Sequence, residues 1–327
     1  MAVSRTEVWQ GGTVVASRPL TPEIRRIEIE VDDPVPVSPG AHVDVRLTIA
    51  GERDRRSYSI VDATADGRRI ALSVYTSPVS RGGAAVMNAL APGDRLDLTQ
   101  PLNDFPLRPG APRYVLIAGG VGITAMVGMA ASLRARGADY RLLYAGRSRP
   151  LMAYVDDLRE AHGERLRLHV RDENTSLVIP DLVDAVEPGT EVYVCGPIRL
   201  MDAIRREWMT RNRPIADLRM ETFGNSGWFD AQEFTVRIPA TGIEARVRPN
   251  QSMLEALEAA GADMMWDCRK GECGLCEVRV SGLSGDIDHR DVFYSERQKD
   301  ARSKMCCCVS RVVAAADGAA VVEIVTS

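Results

Sequence analysis

Three cysteines fall within nine positions, Cys268, Cys273 and Cys276, in the spacing C-x4-C-x2-C with glycines at 271 and 274 between them. Plant-type [2Fe–2S] ligation uses this spacing, with four thiolates holding two irons and a closing cysteine later in the chain. Glycines there let backbone amides approach the sulfurs, and such N–H···S contacts help to set a reduction potential. A structural zinc knuckle is the plain alternative, but zinc sites pair C-x2-C units, and here a single C-x2-C follows an x4 gap. Inert buried cysteines would leave the glycines unexplained. The closing thiolate falls in Cys306-Cys307-Cys308. On a strand, alternate side chains share a face, which keeps 306 and 308 together and turns 307 away.

Two further constellations suit phosphate and a flat ring. Gly119-Gly120-Val121-Gly122 separates the β-rich run Tyr114 to Ala118 from a helix opened by Ile123-Thr124. A strand, a glycine turn and a helix N-terminus favour phosphate, although the same turn also serves plain packing. Val192-Tyr193-Val194-Cys195-Gly196-Pro197 is a second strand ending in small residues. Gly196-Pro197 allows close approach of a nicotinamide ring at the carboxyl edge of a parallel sheet; Cys195 alone reads as a small buried hydrophobe.

Nearer the start, Arg56-Ser57-Tyr58-Ser59 puts a cation, a phenol and hydroxyls on one short strand, suited to a phosphate and an isoalloxazine. Ser80-Arg81-Gly82-Gly83 is a second glycine-rich candidate. The plain readings are a polar edge strand and a turn leading a helix.

Elements that can position these residues follow from periodicity. Up to about residue 108, short alternating runs (Arg25 to Val31, Ala41 to Ile49, Arg69 to Val74, Arg95 to Leu98) are punctuated by Gly40, Gly51, Asp66-Gly67 and Pro92-Gly93-Asp94. They predict an antiparallel β-barrel. From Arg113 to about Phe223, strand-like runs alternate with helical segments at Ala125 to Arg136, Pro150 to Ala161 and Arg199 to Asn212, which predicts a parallel sheet. After Gly224-Asn225-Ser226-Gly227, a linker by composition, come a hairpin-like pair (Glu233 to Ile238, Ile243 to Val247) and a helix from Met253 to Ala260. Ser252 and Glu255 form a capping box for that helix, and Gly261 ends it.

With 327 residues, 41 Lys+Arg against 45 Asp+Glu, 45% hydrophobic and 26% charged residues, the chain is too balanced to coat nucleic acid and too apolar for disorder. The length suggests two or three domains. Tyr114 to Leu133 is uncharged over about the span of a bilayer, yet its glycine turn divides it into strand and helix, so no membrane span is expected. Seven cysteines without a charged-then-apolar leader point to a reducing cytoplasm.

In this order, over essentially the whole chain, the motifs resemble the phthalate dioxygenase reductase family of iron–sulfur flavoproteins, which includes vanillate O-demethylase reductase subunits. R-x-Y-S falls on Arg56 to Ser59, G-G-x-G-I-T on Gly119 to Thr124, C-G-P on Cys195 to Pro197, and the ferredoxin cysteines on Cys268, Cys273 and Cys276. The resemblance implies an FMN-binding β-barrel (1–108), an NADH-binding α/β domain (109–226) and an α+β plant-type ferredoxin domain (227–327). It implies Cys308 as the closing ligand, because Cys308-Val309-Ser310-Arg311 follows Asp288-His289-Arg290-Asp291; the gap common in plant-type ferredoxins would pick Cys306 instead. Phe223 matches a position near the flavin ring. Ala84 and Ala125 stand where the family commonly has serine and proline.

NADH gives two electrons as hydride, a [2Fe–2S] cluster takes one, and a flavin handles both, so the expected order is NADH, FMN, cluster. A monomer is expected, and the resemblance implies that it passes electrons to a terminal Rieske-type oxygenase. The same chain serving a cytochrome P450 is the alternative, and a zinc-stabilised binding module is the reading from another class. Arg147 and Arg149 could meet the 2′-phosphate of NADPH, but the family favours NADH. His42, His162, His169 and His289 are scattered and read as structural.

Overall fold

Alternation of inward apolar and outward polar side chains closes six strands into a barrel. The computed structural model describes residues 7–49, 51–77, 82–224, 226–315 and 318–326, so Ser80 and Arg81 lie outside the described residues. Strands β1 (Trp9–Pro19), β2 (Ile24–Val31), β3 (His42–Ile49), β4 (Glu52–Ala63) and β5 (Arg69–Tyr75), helix α1 (Gly83–Asn88) and β6 (Arg95–Thr99) make the first body. The barrel order is β1-β2-β5-β4-β3-β6, all antiparallel. Ile27, Ile29 and Val31 of β2 point inward with Val43, Val45 and Leu72, and closure leaves no unpaired edge. Strand β1 escaped the periodicity because Gly11-Gly12 interrupt it. A Cβ at Gly12 would lie 2.7 Å from Ile29 Cγ2, so a glycine is needed where the barrel closes on itself.

Strands β7 (Arg113–Gly119), β8 (Tyr140–Gly146), β9 (Leu166–Val170), β10 (Thr190–Cys195) and β11 (Leu218–Glu221) alternate with helices α2 (Ile123–Ala135), α3 (Val155–His162), α4 (Ile179–Asp184) and α5 (Ile198–Thr210). The sheet order is β11-β10-β7-β8-β9, with β10, β7, β8 and β9 parallel. The winding reverses between β7 and β10. Helix α3 begins at Val155 rather than Pro150, because Met152 is extended and Tyr154 is left-handed at φ 65°. That φ is an outlier for an aromatic residue, and here the Tyr154 hydroxyl pairs with Ser73 of the barrel. Among the described residues no helix is long and apolar enough to cross a membrane.

The remaining elements are β12 (Phe234–Ile238), β13 (Ile243–Val247), α6 (Met253–Ala259), β14 (Glu277–Ser284), β15 (Asp286–Asp288), α7 (Glu296–Asp300), β16 (Lys304–Cys306), β17 (Arg311–Val313) and β18 (Val321–Val325). A mixed sheet, β13-β12-β18-β14-β16, packs on α6 around Phe234, Val236, Leu254, Leu257, Val278 and Ile324. The predicted capping box is present: Ser252 Oγ accepts from Glu255 N at 3.1 Å, and Glu255 Oε2 accepts from Ser252 N at 2.8 Å.

The chain forms two compact units, residues 1–195 with 214–219 and residues 196–213 with 220–327. Within the first, the segment joining barrel to sheet is held by two tyrosines. Tyr193 OH accepts from Arg108 N at 2.8 Å and donates to Glu191 Oε2 at 2.7 Å, while its ring meets Phe105 edge-on at 5.5 Å. Tyr114 OH accepts from Ala111 N and donates to the Arg108 carbonyl, both at 3.0 Å. Burial and the neighbouring carboxylate push the Tyr193 phenol up to about 12, so it stays a neutral donor across the physiological range. Replacing it by phenylalanine keeps the ring contact and strands the Arg108 amide. Tyr193→Phe is therefore expected to cost about 1–2 kcal/mol, read as a lower urea midpoint, with faster amide exchange over residues 105–111.

Candidate functional site

The loop from Cys268 to Cys276 is shaped by three left-handed residues, Arg269 (φ 51°), Gly271 (φ 80°) and Gly274 (φ 77°). Such alternation turns successive amides inward to form a nest for an anion. The N–H groups of Lys270, Glu272 and Cys273 all point at Cys268 Sγ, each at 3.4 Å. Arg269 tolerates its conformation because its guanidinium bonds Glu258 at 2.9 and 3.1 Å and lies 3.7 Å over the Trp266 ring. Gly271 admits no side chain: a Cβ there would lie 2.6 Å from Val309 Cγ2 and 3.0 Å from Asp291 Cα.

Cys276 faces the closing triplet. Its sulfur is 3.1 Å from Cys308 Sγ. The thiols of Cys306, Cys307 and Cys308 are directed at it and hold Cys276 far below the ordinary thiol range. Strand β16 ends at Cys306 and residues 307–309 form a turn, so alternation along a strand does not decide which thiols share a face. Cys268 and Cys273 interact directly, and Cys276 is approached by all three thiols of the triplet, with Cys308 Sγ at 3.1 Å. Among the described residues no three metal-binding side chains converge on one point; what suits a [2Fe–2S] cluster is the chemistry of soft sulfur donors on one loop with amides aimed at sulfur.

Around this loop, the Asp288-His289-Arg290-Asp291 and Cys308-Val309-Ser310-Arg311 segments are laced together. Ser310 Oγ accepts from Arg290 N and donates to Asp291 Oδ2, both at 3.3 Å. Arg290 pairs with Asp288 at 2.7 Å, buried, and Arg311 donates to the carbonyls of Gln251, Gln232 and Arg248 at 2.6, 2.8 and 2.9 Å. The stretch read as a linker is anchored too. Ser226 Oγ accepts from Ile198 N at 2.8 Å, Trp228 N donates to Asp288 at 2.9 Å, and a Cβ at Gly227 would meet the Arg290–Asp288 pair at 2.4 Å. Phe223 is half-buried, and its neighbour Thr222 donates its N–H to Glu272 Oε1 of the cysteine loop at 2.9 Å.

In the first unit, Arg56 to Ser59 lie on β4, as read. Arg56 pairs with Asp54 and donates to the Arg55 carbonyl at 2.9 Å. Gly83 sits against it, since a Cβ there would lie 3.0 Å from Arg56 Cγ, and Gly82 is left-handed at φ 91°. The strand and the glycine turn, far apart in sequence, thus meet at one arginine, where a phosphate would compete with Asp54 for the guanidinium. Ser57 instead donates to buried Asp44, and Ser59 is buried opposite His42. Burial holds the Tyr58 phenol neutral, well above its ordinary value.

Helix α2 lies against β4, and Gly128 faces that strand, where a Cβ would stand in ordinary contact, 4.0 Å from the Ile60 carbonyl. Its N-terminus follows Gly119, Gly120 (φ 55°, with open space in place of a side chain) and Gly122, and has no side-chain cap. Thr124 Oγ1 donates to the Val121 carbonyl at 2.9 Å and fixes the turn. Cys195 ends β10 directly opposite Ala118 of β7, so both glycine-flanked strand ends share one edge at the point where the winding reverses. Open α/β sheets bind ligands there. Gly196 and Pro197 follow Cys195 and lead into α5. Arg149 is taken by Glu173 at 2.8 Å.

Sequence reasoning passed over Asp44, Tyr154, Asp202, Arg205 and Lys299, none of which lies in a recognisable spacing.

Residues 116–206 match the oxidoreductase NAD-binding domain family, and residues 236–313 the 2Fe-2S iron-sulfur cluster binding domain family. Over 301 residues the chain is 36% identical to the heme-dependent oxidative N-demethylase beta subunit of Ectopseudomonas mendocina, covering 91% of this chain and 94% of that one. Vanillate O-demethylase oxidoreductase of Pseudomonas sp. strain HR199 is 35% identical over 290 residues, covering 86% and 89%. The solved structure of phthalate dioxygenase reductase, described as modular for electron transfer from pyridine nucleotides to [2Fe-2S], aligns at a TM-score of 0.72 with 27% identity over 97% of each chain. Full-length similarity to such reductases, joined to the thiolate loop and the uncapped glycine turn, places the chain in the phthalate dioxygenase reductase family, the NADH-dependent oxidoreductases that work with FMN and a [2Fe–2S] cluster.

Proposed function

We propose that this reductase supplies electrons to a terminal Rieske-type oxygenase of an aromatic demethylase or dihydroxylase, working as a cytoplasmic monomer divided at about residues 108 and 226. The observation that carries the reading is the cysteine arrangement, with three amides on Cys268 Sγ and Cys276 within 3.1 Å of Cys308. When bound, NADH supplies a hydride, FMN divides the pair into single electrons and the cluster carries them outward.

The chain's own residues bind and orient. Cys268, Cys273, Cys276 and Cys308 hold the irons. Arg56, Gly82 and Gly83 hold the FMN phosphate, while Tyr58 and Ser59 flank the flavin and Ser57 braces the strand through Asp44. Gly119, Gly120, Gly122 and Thr124 present the amides of α2 to the nucleotide phosphates, and Cys195, Gly196 and Pro197 leave room for the nicotinamide. Arg149, already paired with Glu173, fits NADH better than NADPH.

The haem-dependent demethylase among the relatives supports a second reading, in which the acceptor is a haem enzyme such as a cytochrome P450. Substrate-dependent NADH consumption with a purified Rieske-type oxygenase but none with a haem oxygenase is the expected outcome; the reverse would transfer the reading to haem.

Anaerobic NADH titration is expected to bleach flavin absorption and produce the low-temperature EPR signal of a reduced [2Fe–2S] cluster. Cys308→Ser should abolish the EPR signal and keep flavin bleaching, whereas Cys306→Ser should keep both. Zinc in place of iron, or cluster loss in Cys306→Ser alone, would refute the ligand set.

A further inference from the structure

Helix α5 carries a buried carboxylate that uses both of its oxygens. Asp202 accepts from Trp228 Nε1 at 3.0 Å on one and from Lys299 Nζ at 3.1 Å on the other. Lys299, on α7 and nearly buried, also donates to the Asp291 carbonyl at 2.8 Å. That carbonyl shares a peptide plane with the Val292 N–H, which donates to the Gly271 carbonyl at 3.0 Å. The Gly271 carbonyl in turn shares its plane with the Glu272 N–H, which points at Cys268 Sγ at 3.4 Å. The path is unbroken: carboxylate, ammonium, peptide, peptide, sulfur. From the same helix, Arg205 Nη1 steadies the segment by donating to the carbonyls of Val292 at 3.1 Å and Tyr294 at 2.8 Å.

Hydrogen bonds in series polarise one another. A cation on the Asp291 carbonyl makes the Val292 N–H a stronger donor, and the Gly271 carbonyl passes the effect to the Glu272 N–H. A stronger donor at sulfur favours the more negative, reduced form of an iron–sulfur centre. We propose that Lys299, held by Asp202, is a positioning residue that raises the reduction potential of the cluster through two peptide units ending at Cys268. The proposal rests on Cys268 being a cluster ligand, as argued above.

The test is redox titration of the reconstituted full chain monitored by EPR, with hydrogen exchange of the Glu272 amide as a readout that needs no turnover. Lys299→Met is expected to lower the cluster's reduction equilibrium about threefold, or about 30 mV for a one-electron couple, and to speed exchange at Val292 and Glu272. Asp202→Asn, which loosens the ammonium while also removing a negative charge, should speed exchange at Val292 and Glu272, and Lys299→Arg should restore most of the potential. Glu296→Gln, which removes only the exposed ion pair with Arg206, should leave the potential unmoved. If Lys299→Met lowers thermal stability while potential and Glu272 exchange stay at wild-type values, the residue is merely structural and the proposal is overturned. If Lys299→Met does not fold, Asp202→Asn decides alone by exchange at Val292 and Glu272: wild-type exchange there overturns the proposal. A wild-type chain without a [2Fe–2S] signal would instead refute the ligand reading itself.

Discussion

Everything near the cysteine loop answers to one constraint: backbone N–H groups must face an anion, and no side chain can stand between. A peptide presents several amides to one point only when left-handed residues interrupt the ordinary run, and these are costly for anything but glycine. Gly271 and Gly274 supply two such turns, and Arg269 supplies a third with its side chain tied to Glu258 and Trp266. The same constraint recurs at Gly119 to Gly122, where the amides of α2 are left without a side-chain cap.

A loop held open in this way has little stability of its own, and the second unit supplies it from buried charge. Arg290, Asp288, Asp291 and Arg311 are all buried, and each has hydrogen-bonded partners. Taking such groups out of water is expensive, so this network is poor evidence for high stability. Removing one partner is a different matter, because an uncompensated buried charge costs about 3–5 kcal/mol. The network therefore makes one arrangement of the segments around Gly271 strongly preferred over slipped ones. Glycine at 227 belongs to the same economy of space, since any side chain would enter the Arg290–Asp288 pair.

How far the fold was legible depends on whether its cause is local. Barrel, parallel sheet and capping box announce themselves through alternation, glycine turns and a Ser-x-x-Glu spacing. The start of α3 did not, because Tyr154 takes a left-handed conformation in the company of Ser73, a residue of the barrel. Strand β1 was hidden by Gly11-Gly12, whose reason is the barrel's closure rather than local propensity. At the candidate sites the cysteine and glycine spacings were visible, but Ser57 turned out to face Asp44, and the carboxylate and ammonium that reach the cysteine loop, Asp202 and Lys299, lie 97 residues apart. Contacts of that separation leave no trace in a spacing.

The closing triplet shows the same limit at a smaller scale. Strand alternation would have kept Cys306 and Cys308 equivalent, and only a strand running through all three cysteines would make that argument valid. Instead the Cys306 carbonyl accepts from Val309 N at 3.3 Å and Ser310 N at 3.0 Å, which bends the chain into a turn immediately after β16. Cys306 stays paired with Glu277 in the sheet, while Cys307 is fixed between Leu254 N and the Cys276 carbonyl. Cys308 is the member carried around the turn, and its neighbour but one, Ser310, is tied to Asp291 beside Gly271. Its approach to Cys276 is therefore set by the turn and by the buried segment behind the loop.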